Sequence, residues 1–492
     1  MTDRNRWIAL YVLCVGMLMI VLDMTVVNVA LPTIQDELGF SQANLAWVVN
    51  AYLIAFAGLL LLAGRLGDLV GRKSVFMGLG VFTFASILCG VAQSQELLVA
   101  ARFIQGIGGA MTSAVILGMI VTMFPEPREQ AKAIGVFAFV ASAGGAVGLL
   151  AGGIITQLIS WHWIFFLNIP IALVTAVLAR RLVQRDEGIG LAEGADIPGA
   201  VLITSSLMLG VYTIVGPAAE DGWTAGGTLG FAALSLALLG AFITREATAT
   251  SPLMPLRIFR SRNVAGANLV QVLGVAGMFG MFFMGALYLQ RILGYDALQT
   301  GLAFLPVTVV MGTLSVGYTD RLVMRFGARR MVASGLPLMA LGLVLFALAP
   351  IDGSYVVNVF PVMVLLGAGA GLSFPALVTI AMSGATPSDA GLASGLVNTG
   401  AQAGGALGLA VLATMSTTRT ENALADGVSR AAALNSGYHL AYLIGAALIV
   451  AAIAAALFVV QPPEQAAAQG APAEDGSARA EAGSREPAYS EA

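Results

Sequence analysis

Leu22-Asp23-Met24-Thr25-Val26-Val27-Asn28-Val29-Ala30-Leu31-Pro32 closes an apolar run that begins near Ile8, and it sets a carboxylate inside that run. A charged side chain near the middle of a bilayer helix costs about 2.5–3.5 kcal/mol on insertion scales, so such residues are usually there for a function. The stretch therefore reads as the end of a first membrane span, with Asp23 as a candidate proton-binding group. It is not a cleaved leader, because the run is too long, carries an acid and lacks a small-x-small cleavage site.

The composition fits a chain built almost entirely of such spans. Of 492 residues 58% are hydrophobic and only 10% are charged, and the mean hydropathy is +0.87. Soluble proteins carry about 25% charged residues, so the expected fold class is an all-α polytopic membrane protein. Cys14 and Cys89 both lie in apolar runs and offer no disulfide framework or metal site. The formal charge of −3 belongs to the segment after Gln461, where six acids face only Arg479 and Arg485. Nothing points to a nucleic-acid partner.

Apolar runs long enough for a membrane of about 30 Å lie near 8–30, 46–63, 75–94, 98–124, 132–158, 163–182, 198–216 and 226–244. Six more lie near 264–289, 299–318, 331–349, 355–382, 391–415 and 437–460, so fourteen spans are expected. With the N-terminus inside and the spans alternating, 20 of the 24 basic residues fall on the inner side. The outer loops keep only Arg291, Arg419 and Arg430, while Arg102 lies within a span. Both termini are therefore expected in the cytoplasm. The Ala-, Gly- and Arg-rich usage, with two lysines, suggests a high-GC bacterium and its cytoplasmic membrane.

Repetition divides the chain. Arg65-Leu66-Gly67-Asp68-Leu69-Val70-Gly71-Arg72 has its counterpart 256 positions later in Arg321-Leu322-Val323-Met324-Arg325-Phe326-Gly327-Ala328. Gly144, Gly148 and Gly152 match Gly400, Gly404 and Gly408 at the same displacement. The expected organisation is a six-helix half over 1–184, a linker with two extra spans over 185–262, a second six-helix half over 263–461, and a disordered acidic cytoplasmic tail over 462–492.

Asp23 and Arg102 are the two charged residues away from the inner ends of spans, and both fall in the outer half of the membrane by count. Desolvation favours the neutral carboxyl and a neighbouring cation favours the charged one, so a movable Arg102 beside Asp23 suits a proton carrier. Arg102, Gln105, Gly109 and Thr112 recur at helical steps, and so do Ser394, Asn398 and Gln402. These faces are expected to line a substrate cavity, with Asn28, Trp47, Asn50 and Tyr52 as further candidates. Satisfied hydrogen bonds between helices would give the same pattern. Glycines four apart let helices approach closely, and in the fifth span they suggest a hinge or a seal between the halves.

Enzymatic and nucleotide readings fail. Gly67–Ser74 lacks a preceding strand and places Arg72 before Lys73, so it is no phosphate loop. His162 and His439 lie far apart and form no metal cluster. No catalytic residues, metal or cofactor are expected, and any pumping must draw on an ion gradient.

The chain resembles the major facilitator superfamily, and within it the fourteen-span drug:proton antiporters, over nearly everything before the tail. The resemblance rests on Leu22–Pro32, on Gly64–Lys73 between spans 2 and 3, on Arg102-Phe103-Ile104-Gln105-Gly106, and on Gly135, Gly144, Gly148, Gly152 and Gly153 in span 5. Leu149 stands where that last motif usually has proline, and His162 where a related segment often has arginine. The resemblance implies alternating access between the halves. Gly64, Asp68, Gly71 and Arg72 would form a cytoplasmic gate, and Asp23 and Arg102 would couple protons to the export of a small amphipathic substrate, in a monomer within the lipid bilayer.

Overall fold

The computed structural model describes residues 3–71, 73–124, 126–182, 196–250, 252–383 and 390–460, and among them it is helical with no strand. A membrane offers the backbone no water, so every N–H and C=O must be satisfied internally, and helices do this one segment at a time. The long helices are α1 (Asp3–Leu38), α2 (Trp47–Val70), α3 (Lys73–Gly90), α4 (Gln95–Met123), α5 (Pro127–Leu158), α6 (Asn168–Leu182), α7 (Ile197–Val215) and α8 (Gly226–Thr248). They continue as α9 (Arg262–Leu287), α10 (Ala297–Thr313), α11 (Ala328–Phe346), α12 (Phe360–Ser383), α13 (Ala390–Ala425) and α14 (Arg430–Phe458). Eleven helices among the described residues are long and apolar enough to cross a membrane; Ser74–Gly90, Gly144–Leu158 and Ala297–Thr313 are shorter apolar helices.

Two sets of helices repeat one packing scheme. In the first set α2 packs on α4, α4 on α3, and α1 on α5 and α6; in the second α10 packs on α12, α12 on α11, and α9 on α13 and α14. The sets meet where α5 lies on α10 and α2 on α13. Helix α7 packs on α2 and α13, and α8 on α7. Leu229, Leu234, Leu236 and Ile243 of α8 are exposed, as an apolar helix facing lipid should be.

The repeated loop has a backbone cause. Gly71 ends α2 with φ 67°, and Gly327 ends the helix Thr319–Phe326 with φ 87°. That left-handed conformation costs other residues roughly 1 kcal/mol or more, whereas glycine adopts it freely.

The glycine stripes correct the expected seal. A Cβ on Gly152 would stand 2.8 Å from the Val26 carbonyl oxygen, and one on Gly148 would meet the Leu22 carbonyl at 3.2 Å. Gly144 faces Leu18 and Val21. Gly404 and Gly408 of α13 likewise lie against the Val272 and Ala276 carbonyls of α9, each 2.6 Å from such a Cβ. Both stripes therefore close helix pairs inside one set. At the α5–α10 contact between sets lie Gly153, whose Cβ would stand 2.7 Å from the Ala297 carbonyl, and Gly301, which faces the Leu149 carbonyl.

Candidate functional site

Behind the α1–α5 contact, Asp23 points the other way, into the first set. Its carboxylate is fully buried and accepts hydrogen bonds from three side chains. Arg102 Nη1 donates to Oδ2 at 2.5 Å, while Gln105 Nε2 and Asn168 Nδ2 donate to Oδ1 at 2.7 and 2.8 Å. Helices α1, α4 and α6 thus converge on one carboxylate, and α3 adds Ser86, whose Oγ accepts from Gln105 at 2.9 Å and from Asn168 at 3.3 Å. Ser86 itself donates to the Phe82 carbonyl at 2.8 Å.

Arg102, 1% exposed, is as sealed as its partner. Its Nη1 also donates to Gln105 Oε1 at 2.6 Å, and its Nε donates to the Val48 carbonyl of α2 at 2.9 Å. The guanidinium lies 4.5 Å over the Tyr52 ring and 5.9 Å from that of Phe165, so an aromatic face replaces part of the lost hydration. A buried ion pair recovers its desolvation cost only with good geometry and further hydrogen bonds, and this one has both. Gln105 is oriented by the pair: its carbonyl receives the guanidinium and its amide donates to Asp23. That arrangement uses both oxygens of Asp23 as acceptors. Protonation would turn one acceptor into a donor facing two amide donors, and the cluster would have to rearrange.

Of the other expected residues, Gln105 and Tyr52 join this cluster. Thr112 is fully buried: its hydroxyl donates to its own helix at the Gly108 carbonyl (2.8 Å) and it lies against Gly78 of α3. Gly109 likewise faces Tyr52 and Phe56. The polar face of α4 is thus a packed face inside the first set, because α2 and α3 both dock on it. Asn28 is half-buried and donates to the Met24 carbonyl at 3.0 Å. Trp47 is half-buried against the core. Asn50 is fully buried, and among the described residues neither amide atom has a partner. Asn398 is exposed and Gln402 half-buried on α13, apart from the Asp23 cluster. Gly64 packs loosely near Ala114. Arg72, the side chains of Asp68, Lys73 and Ser394, the surroundings of Gly135, and the segments 183–195 and 461–492 lie outside the described residues. His162 stacks on Trp161 at 3.7 Å and contacts Ser160.

Sequence reasoning missed Ser86 and Asn168. Each is a single polar residue in or beside an apolar run, the same signal that exposed Asp23, only weaker without charge.

A second polar contact links the sets at the end of α1. The guanidinium of Arg291 donates to the Pro32 carbonyl and to Gln35 Oε1, each at 3.2 Å, and pairs with Asp36. Gln290 Nε2 donates to the Val29 carbonyl at 2.9 Å. A cavity of about 230 Å³ lies beside this contact, lined by Gln35, Gln42, Arg291, Thr417 and Arg430 among others.

The model of the Major Facilitator Superfamily matches residues 13–409. The chain is 38% identical over 462 residues to the puromycin resistance protein of Streptomyces alboniger, covering 92% of this chain and 91% of that one. It is also 38% identical to the cephamycin export protein of Amycolatopsis lactamdurans, covering 91% and 90%. Among solved structures, a bacterial homolog of the human lysosomal transporter Spinster aligns with a TM-score of 0.66 at 15% identity, over 95% of this chain and 99% of that one. On fold and sequence alike, the chain belongs to the major facilitator superfamily.

Proposed function

We propose that the protein is a proton-coupled antiporter that exports amphipathic drugs or antibiotics across the bacterial cytoplasmic membrane by alternating access. The single observation that carries the coupling is the buried Asp23–Arg102 pair, an ionisable group sealed inside an apolar helix set and held by a partner that can leave. The export direction and substrate class are supported by relatives that are antibiotic resistance and export proteins. In this reading fourteen helices cross the bilayer, with both termini cytoplasmic. The sets α1–α6 and α9–α14 are the moving halves, α7 and α8 are an addition between them, and the chain works as a monomer. Asp68 and Arg72 gate the cytoplasmic side. Arg291 latches the outer side by holding α9 to the end of α1. The drive is sufficient: one charge crossing 100 mV supplies about 2.3 kcal/mol, which supports roughly a 50-fold substrate gradient per proton.

In inverted vesicles with an acidic lumen, substrate is expected to alkalinise the lumen, and Asp23→Asn is expected to abolish that signal while the protein still inserts. Undiminished alkalinisation by Asp23→Asn would falsify the assignment. Growth-inhibition profiling of a pump-deficient strain separates broad drug export from the alternative of a dedicated exporter of one endogenous metabolite. A membrane scaffold or sensor on this fold, the reading of another class, predicts no substrate-linked proton movement in the unmodified protein.

A further inference from the structure

A second buried acidic site lies away from Asp23, where α7, α8 and the connection into α9 meet. Asp196 caps α7 and Glu246 sits in the last turn of α8; they are 4% and 3% exposed. One oxygen of each is well used. Asp196 Oδ1 accepts from the Gly199 N–H at 3.1 Å and from Arg245 Nε at 2.9 Å, while Glu246 Oε2 accepts from the Met254 N–H at 2.7 Å. The other two oxygens, Asp196 Oδ2 and Glu246 Oε1, are buried without a hydrogen-bond partner among the described residues. Both are aimed at one small space over Gly199, where a Cβ would stand 2.5 Å from the first and 2.9 Å from the second. Leu62, Ala200 and Leu253 pack together beside it.

Among the described residues these two buried carboxyls have one paired guanidinium between them, that of Arg245, and like charges this close disfavour ionising both. We propose that Asp196 and Glu246 bind one proton between them, as a carboxyl–carboxylate pair distinct from the Asp23 cluster. Asp196 is the anion, since its Oδ1 takes both a backbone donor and a cation. Glu246 carries the proton, since its donors, the Met254 and Leu253 backbone amides, are neutral, and its Oε1–H donates to Asp196 Oδ2. One proton thereby satisfies both orphaned atoms. Among the described residues the charged groups facing Glu246 are Asp196 and Arg245; Arg65 of α2 is half-buried, and Arg257 and Arg260 on the following short helix are exposed. The pair fastens α7 and α8 to the 249–255 connection. Loss of its proton removes the Oε1–H···Oδ2 link and sets two anions together, so this side of the protein responds to pH where the Asp23 cluster does not control it.

The test uses the full-length protein in lipid, on an Asp23→Asn background so that the proposed coupling site contributes nothing. At neutral pH, infrared spectroscopy is expected to show a deuterium-sensitive protonated-carboxyl C=O band that is lost in Glu246→Gln and shifted in Asp196→Asn. The melting temperature is expected to fall as pH rises through the titration of the pair, and to be flat in Glu246→Gln. An identical band with and without Glu246→Gln, or a band unmoved by Asp196→Asn, overturns the proposal. So does a melting temperature raised by sodium over choline and lost in Glu246→Gln, which assigns the space to a metal cation. Should Glu246→Gln not fold, the Asp196→Asn band shift still decides.

Discussion

The two helix sets share a packing register and differ at the one place that matters. Gly106 of α4 rests on the Tyr52 carbonyl as Gly367 of α12 rests on that of Val307; Gly108 meets Phe82 as Gly369 meets Met339. Gly152 meets Val26 as Gly408 meets Ala276. Carried along this register, Asp23 corresponds to Leu273, Arg102 to Met363, Gln105 to Leu366 and Ser86 to Leu343. Met363, Leu366 and Leu343 are fully buried, and Leu273 packs against the same core. One scaffold therefore accommodates an ion cluster in one copy and plain hydrocarbon in the other. The difference teaches that the cluster is not needed to hold such a set together.

The sharpest way to break that comparison is to make the first set like the second. Asp23→Leu alone leaves Arg102 buried without a counter-charge and should destabilise the protein by about 3–5 kcal/mol, as should Arg102→Met alone. The double variant Asp23→Leu/Arg102→Met should recover most of that loss, or exceed the parent, in reversible unfolding in mixed detergent micelles. All three should fail to move protons. A double variant no more stable than the singles would show that the cluster is structural after all.

A smaller change sharpens the boundary of the cluster. Asn168→Ala removes a donor to a charged acceptor, worth about 1.5–3 kcal/mol, and should lower substrate-linked alkalinisation without ending it. Unchanged transport and stability would place Asn168 outside the machinery. The smallest stability effect is expected at Arg291, the proposed latch. Arg291 and Asp36 are 29% and 64% exposed, so Arg291→Ala should cost no more than about 1 kcal/mol. It should instead bias the outer face open, read as several-fold faster maleimide labelling of a cysteine placed at the buried Thr417.

The sequence exposed most of this asymmetry. A carboxylate and an arginine in apolar runs are conspicuous because lipid penalises them, and the repeat at a 256-residue displacement marks the two sets. What it could not give was what each helix face meets. The Arg102–Thr112 face reads as a cavity wall by periodicity, yet α2 and α3 dock on it. The glycine stripe of α5 reads as a seal between halves, yet it closes on α1. Periodicity identifies a face, and only the docking of other helices decides its neighbour. Ser86 and Asn168 were hidden for the same reason: each lies on its own helix, with no spacing that links it to Asp23.

The seam formed by Gly153 and Gly301 has a kinetic consequence. Each glycine lies on a main-chain carbonyl of the opposite set, so at these points no interlocked side chains have to change rotamer before the surfaces part. Such a joint separates as a smooth face rather than a ratchet. The barrier to moving one set against the other should therefore lie chiefly in the polar contacts at its ends. Turnover would then be governed by the making and breaking of a few named hydrogen bonds, not by friction along the seam.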